Sequence, residues 1–175
     1  MAEDEKGDKE AVYFLHQHPF TSSHEAPFQC AKACDEVYFT TVVQCFAYLK
    51  AMHANEMANG NHPHFTGVAD RILQTTSTAV VTNMSAQMGR HEDFDVASWG
   101  AARQEEMLVA LRAKFDSYPD LADKLRDSAV CPLAQASQGD CDHGIGLGVV
   151  GAKLGMAWRS QNFFGKCLEL FRGYC

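Results

Sequence analysis

The sequence predicts a mainly α fold: a single compact helical domain with a few short strands or irregular segments. Three observations predict it. At 175 residues the chain suits one domain with a sizeable core and is short for two. Several of its longer segments repeat apolar residues at helical spacing. No internal repeat, low-complexity run or linker divides it. The expected organisation is an acidic, disordered tail over residues 1–10 followed by one domain over 11–175.

Each element follows from local pattern. "AVYFLHQHPFTSSHEAPFQ" mixes aromatics, histidines and prolines and reads as irregular or short-strand structure. "TTVVQCFAYLKAMHANEMA" (40–58) reads as a helix, with Thr40 or Thr41 as its cap. "NGNHPHFTG" (59–67) breaks that helix with two glycines, two asparagines and a proline. Residues 68–90 carry two short helical pieces. "SWGAARQEEMLVALRAKFD" (98–116) places Met107, Ala110, Leu111 and Phe115 at helical spacing, with Ser98 as the expected N-cap. Pro119 opens "PDLADKLRD", since proline suits a first helical turn. Ser160 is the expected cap of a last helix striped by Phe164, Cys167, Leu168 and Phe171. Any strands should be short and lie near the N-terminal segment or around residues 130–136.

Bulk composition excludes some functions. A net charge of −7 argues against a broad nucleic-acid-binding surface, which needs clustered Lys and Arg. No segment is long and apolar enough to span a bilayer, and the charged start is unlike a secretory signal. The seven scattered cysteines (30, 34, 45, 131, 141, 167, 175) read as buried free thiols in a reducing compartment, so a cytoplasmic location is expected.

Four groups of residues could carry chemistry. Lys50 sits in an otherwise apolar helix, where a lysine commonly snorkels. Pointed into a cleft, it would lose solvation and become a nucleophile toward a sugar C1′. The pairs His16/His18 and His62/His64 could share one face of an extended segment. No carboxylate or third ligand lies at a recognisable spacing from either pair, so surface or packing roles are expected and no metal site is. In "DCDHGIGL" (140–147), Asp140 beside His143 is an acid–base pair or simply a turn composition. Gln161 and Asn162 offer side-chain amides to a ribose or base edge, and Trp99 and Trp158 offer flat stacking surfaces or core anchors.

Taken in order, "MGR" (88–90), "SWGAARQEEMLVALRAKF" (98–115), "ASQGDCDHGIGL" (136–147) and "WRSQNFFGKCLELFR" (158–172) resemble the NADAR superfamily, which includes the YbiA-like N-glycosidases. Phe14, His18 and Pro19 form a looser version of the family's N-terminal pattern. The resemblance implies a compact helical domain that hydrolyses the bond between a ribose carbon and a nitrogenous group. Implied substrates are phosphoribosylated pyrimidines, ADP-ribosylated bases or RNA. It also implies a covalent Schiff-base role for Lys50 and carries the family's glycine-loop aspartate onto Asp140. In the enzyme reading Asp140 and His143, the latter in place of a family tryptophan, take over the acid–base work. Substrate contacts are implied for Phe14, His18, Gln44, Arg90 and Trp99, and for Gly144, Gly146, Trp158, Gln161 and Asn162 in the C-terminal segments. No cofactor, metal or membrane partner is expected.

The chain departs from the family at three places. Val43-Gln44 stands where the family carries an acid seven residues before the lysine, Gln135 replaces a second acid, and His143 replaces a tryptophan. Two further readings therefore stand beside the enzyme. One is a degenerate module that binds a nucleotide or ADP-ribose without turnover. The other is a ribosomal RNA N-glycosidase toxin using a basic face of Arg112, Lys114, Arg159 and Arg172.

Overall fold

Apolar residues recur around almost the whole circumference of the segment following Thr41, and a helix apolar on every side must be buried. In the computed structural model, which describes residues 11–14, 18–128, 131–138 and 143–174, that segment is the helix against which three others pack. The strands are β1 (Val12–Phe14), β2 (Phe28–Cys30), β3 (Cys34–Phe39) and β4 (Leu133–Gln135). The helices are α1 (Val42–Met57), α2 (Pro63–Gln74), α3 (Thr78–Met88), α4 (Val96–Ser117), α5 (Pro119–Asp127), α6 (Val149–Lys153) and α7 (Phe163–Arg172). The mainly α prediction holds, and the strands are short and lie where they were expected. The proposed tail over residues 1–10 lies outside the described residues.

Contacts divide the chain into two compact units. A continuous unit runs from Ser22 to Ala122, and a split unit joins the segment up to Thr21 with Asp123 onward. In the continuous unit α1 packs on α2, α3 and α4, while β2 and β3 pair antiparallel and β2 lies on α4. Thr41 caps α1 by accepting from the Gln44 N–H, as its sequence position predicts. The following break is held by Asn55, whose amide donates to Gly60 O and accepts from the His62 N–H. Asn59 and Gly60 both adopt positive φ there, which these two residue types tolerate best.

In the split unit β1 pairs parallel with β4, with Val12 opposite Leu133 and Phe14 opposite Gln135. Phe14 is fully buried, edge-on to Phe20 and Phe164. A second cluster gathers Ala134, Ala136, Ile145, Leu147 and Ala152 against Tyr13 and Val149.

Two helix starts differ from expectation. α4 begins two residues before Ser98 because Asp95 is its cap, accepting from the Ser98 N–H at 2.8 Å. α7 begins after Asn162, not at Ser160, because Asn162 itself takes left-handed backbone (φ 51°) and ends the loop. Among the described cysteines whose side chains are placed, Cys30, Cys45 and Cys167 are buried, Cys131 is partly buried, and all four are free thiols. Cys30 and Cys45 are hydrogen-bonded to each other, which lowers the Cys30 thiol to about 6 and raises Cys45. That pair is more polar than the purely apolar role expected of it.

Candidate functional site

Lys50 lies past the middle of α1, flanked in sequence by the buried Leu49 and Ala51. Its side chain is partly buried, and Nζ donates to the Ser85 carbonyl oxygen at 2.9 Å. Nζ also stands over the Phe94 ring at 5.0 Å and the Trp99 ring at 5.9 Å. Both distances fall within reach of the attraction between an ammonium and an aromatic face. The amine is therefore held by a backbone acceptor and two rings, which is not how a snorkelling lysine ends.

The sequence builds this corner from three pieces. α3 ends at Met88, and Gly89 caps it within touching distance of the amine: a Cβ at residue 89 would lie 3.0 Å from Nζ. The loop that follows delivers the buried Phe94, and the Asp95 cap starts α4 so that Trp99 faces the same corner. Trp99 is buried against Phe46 on one side and His53 on another, with centroids 5.2 and 5.7 Å away. His53 Nε2 pairs with Ser98 Oγ at 2.9 Å, which fixes the imidazole beside that tryptophan. An amine in such a setting can attack an electrophilic carbon, and its rings can face a developing positive charge.

Other residues predicted for the site in this unit have different surroundings. Gln44 is buried, and its amide is fully engaged. Oε1 accepts from Thr40 N and Oγ1, while Nε2 donates to Ile72 O and Thr75 O. It ties the start of α1 to the end of α2. Val43, at the position of the family's acid, is partly buried and offers no proton. Arg90 is exposed, with its backbone N–H on Gln87 O.

The glycine-rich segment of the split unit explains itself through backbone contacts. Ile145 N–H donates to Gln135 O, Arg159 N–H to Ile145 O, Asn162 N–H to Gly144 O, and Phe164 N–H to His143 O. Residues 143–147 therefore run as a stitched strip between β4 and the approach to α7. Gly146 has φ 68°, and a Cβ there would sit 2.9 Å from the Arg159 Cβ, so only glycine fits. Gly165 is pressed against the Leu133 carbonyl and the Asn162 amide so closely that a Cβ would collide with both. Asn162 is 2% exposed; its Nδ2 donates to Leu133 O at 2.7 Å and its Oδ1 accepts from the Gln135 N–H at 3.2 Å. Its amide serves the fold.

Phe14 is core, and His18 packs on Phe14 and Phe20 with Nδ1 accepting from the Phe20 N–H. His143 is partly buried beside Phe163, with ring centroids 6.1 Å apart. Gln161 is exposed, and Trp158 is 41% exposed, which makes it an open stacking face and not a core anchor. Asp140, His16 and Cys141 lie outside the described residues.

Sequence reasoning thus found Lys50 and Trp99, which the structure brings together, and missed Ser85, Phe94 and His53. Ser85 contributes only a carbonyl, which leaves no side-chain signal. The expected basic face loses two of its four members. Lys114 is 1% exposed, and burial alone lowers its amine to about 8. Arg172 is engaged with Ser128 O, Ser128 Oγ and Cys131 O. His62 has neighbours that sequence spacing does not show. His91 and Asp93, about thirty positions on, come within reach. No helix among the described residues is long and apolar enough to cross a membrane.

Comparison with known proteins agrees with this architecture. The family model described as "NADAR domain" matches residues 9–173, running unbroken across both units. The chain belongs to the NADAR family. Its fold is similar to that of the Escherichia coli protein YbiA, solved by NMR, with a TM-score of 0.63 over 95% of this chain and 84% of that one, at 19% identity. No curated protein matches the sequence.

Proposed function

We propose that this NADAR-domain chain is an N-glycosidase that hydrolyses the bond between a ribose C1′ and a nitrogenous base, with Lys50 as its nucleophile. The observation that carries the reading is the Lys50 amine held at the Ser85 carbonyl beneath Phe94 and Trp99.

In the proposed reaction the deprotonated Lys50 amine gives its lone pair to C1′. The C1′–N bond breaks, and its electron pair and a proton go to the leaving nitrogen. The sugar ring then opens as the remaining amine proton passes to O4′, leaving a Schiff base between Lys50 and C1′. Water adds at C1′ and releases the free sugar and the lysine, so one water is consumed per bond cleaved. Phe94 and Trp99 face the positive charge that develops at C1′ and limit water near the imine. Val43 and Gln135 replace the family's acids, so the proton for the leaving nitrogen comes from a group other than those two positions. A small nucleotide-like or ADP-ribosyl-base substrate is favoured over RNA. Burial of Lys114 and engagement of Arg172 remove half of the cationic face an RNA backbone would need.

A second reading, a binding module without turnover, is favoured by the non-acidic Val43 and the fully engaged Gln44. One experiment separates them. The full chain is incubated with ADP-ribosylated guanosine derivatives and phosphoribosylated pyrimidines in the presence of borohydride. Free base should appear, and a reduced sugar adduct should be trapped on the Lys50 peptide. Lys50→Ala should stay folded and lose base release by ~10³-fold or more. Undiminished release in that variant overturns the assigned nucleophile. Saturable binding with neither release nor adduct establishes the module.

A further inference from the structure

We propose that the continuous unit carries a binding site for a divalent transition-metal ion, Zn2+ being the best fit, ligated by His62, His91 and Asp93. The three residues come from two places in the chain. His62 precedes α2, and His91 and Asp93 lie in the loop between α3 and α4. Folding nevertheless brings one ligand atom from each to within 4.8 Å of the others.

The spacings match a coordination sphere. Three ligands about 2.0–2.1 Å from a tetrahedral ion lie roughly 3.3 Å apart from one another. Here Asp93 Oδ2 is 3.2 Å from His62 Nε2 and 3.6 Å from His91 Nδ1. Two imidazoles and one carboxylate with further positions open is a donor set that zinc accepts readily. The ligands are reachable from solvent, since the His62 and His91 side chains are 22% and 26% exposed and Asp93 is 54% exposed.

His64 adds a third imidazole, stacked on His91 with centroids 4.2 Å apart. His62 Nδ1 and His64 Nε2 are buried with no hydrogen-bond partner among the described residues. Such groups cost stability and call for a reason. An ion held at His62 Nε2 leaves both of these atoms as they are, so the proposal rests on the convergence and spacing of the three ligand atoms. Metal entry trades two bonds away: His62 Nε2 is hydrogen-bonded to Asp93 Oδ2 at 3.2 Å, and His91 Nδ1 accepts from the Asp93 N–H at 3.2 Å in the metal-free arrangement. The missing outer partner at His62 Nδ1 places the affinity ~10–100-fold below that of a fully braced site.

The bound ion joins the start of α2 to the loop that ends in Phe94, the ring over the Lys50 amine. Phe65 already touches both His62 and His91, so the staple sits on packed ground. It therefore braces one wall of the lysine corner. Uptake of metal does not depend on whether that corner has glycosidase activity.

The test uses the full chain, stripped with chelator and titrated with Co2+ and then Zn2+. One equivalent of Co2+ should bind with visible d–d absorption, and Zn2+ should displace it and raise Tm. His91→Ala and the isosteric Asp93→Asn, at an exposed position, should each weaken binding by about tenfold or more. His24, a partly buried histidine ahead of β2 and outside the cluster, is the control, and His24→Ala should leave binding unchanged. The inference is overturned by no uptake, by uptake insensitive to both ligand variants, or by thiolate-to-cobalt charge-transfer bands that assign the ion to cysteines.

Discussion

Two regions carry most of the family's signature residues, and they use polar groups in opposite ways. In the strip from His143 to Gly165, backbone groups bond to one another and the Asn162 amide bonds to the backbone of β4. In the Lys50 corner, a cationic side chain lies partly buried between a carbonyl and two rings. A residue type alone does not reveal which use it serves. Asn162 and Lys50 both look like candidates for chemistry; one is a clamp and the other carries a reactive group in a specialised setting.

The largest expected effect tests the clamp. Asn162→Ala removes two buried bonds and leaves the Leu133 carbonyl and the Gln135 N–H without their partner. It should cost ~2–5 kcal/mol of stability by chemical denaturation. Asn162→Gly relieves the left-handed backbone without restoring the amide. If the glycine variant is as stable as wild type, the clamp is not what holds the strip.

The next contrast lies within the continuous unit, between its two sheltered lysines. Burial lowers the folded Lys114 amine from 10.5 to about 8. Between those values the unfolded chain binds more protons, so stability must rise with pH across that window. Below about 8 both states are charged, and the burial cost is constant. Lys114→Met should therefore be more stable than wild type at pH 7, by at most ~3 kcal/mol. The advantage should shrink as pH climbs from 8 toward 10.5. An advantage that does not change with pH would mean the lysine is paired and charged throughout.

A smaller effect sharpens the lysine corner itself. Gly89 has ordinary helical backbone (φ −68°), so alanine is conformationally acceptable there. The added Cβ meets Nζ at 3.0 Å and displaces it by a few tenths of an ångström. Gly89→Ala should lower base release by ~10-fold with little change in Tm, since position governs reactivity more steeply than stability. The smallest effect is at the cap of the helix bearing Trp99, where Asp95→Ala should cost ~1 kcal/mol.

Local chemistry was readable wherever a single segment determined it. The Thr41 cap, the break at Asn59–Gly60 and the start of α5 at Pro119 all follow from neighbours in sequence. The α4 start was misplaced because Asp95 and Ser98 are both good caps, and only the backbone distinguishes the giver from the receiver. α7 was misplaced because the left-handed turn at Asn162 depends on contacts with β4, far away in sequence. The same limit hid the partners of Lys50. Ser85 contributes a carbonyl, which every residue possesses, and Phe94 reaches the amine only through tertiary packing. His62 and Asp93 stand thirty-one positions apart and became neighbours only on folding.

The parallel pairing of β1 with β4 has a consequence for how the protein is made. Val12 waits for Leu133, 121 positions later, before its backbone finds a partner. At ~5–20 residues per second, translation leaves that strand edge bare for several seconds at least. Residues 22–122 depend on no such delay, since their helices can associate as soon as α4 leaves the ribosome. Premature termination between residues 122 and 133 would release chains with the continuous unit complete and β1 lacking its partner strand, ready to recruit a neighbour.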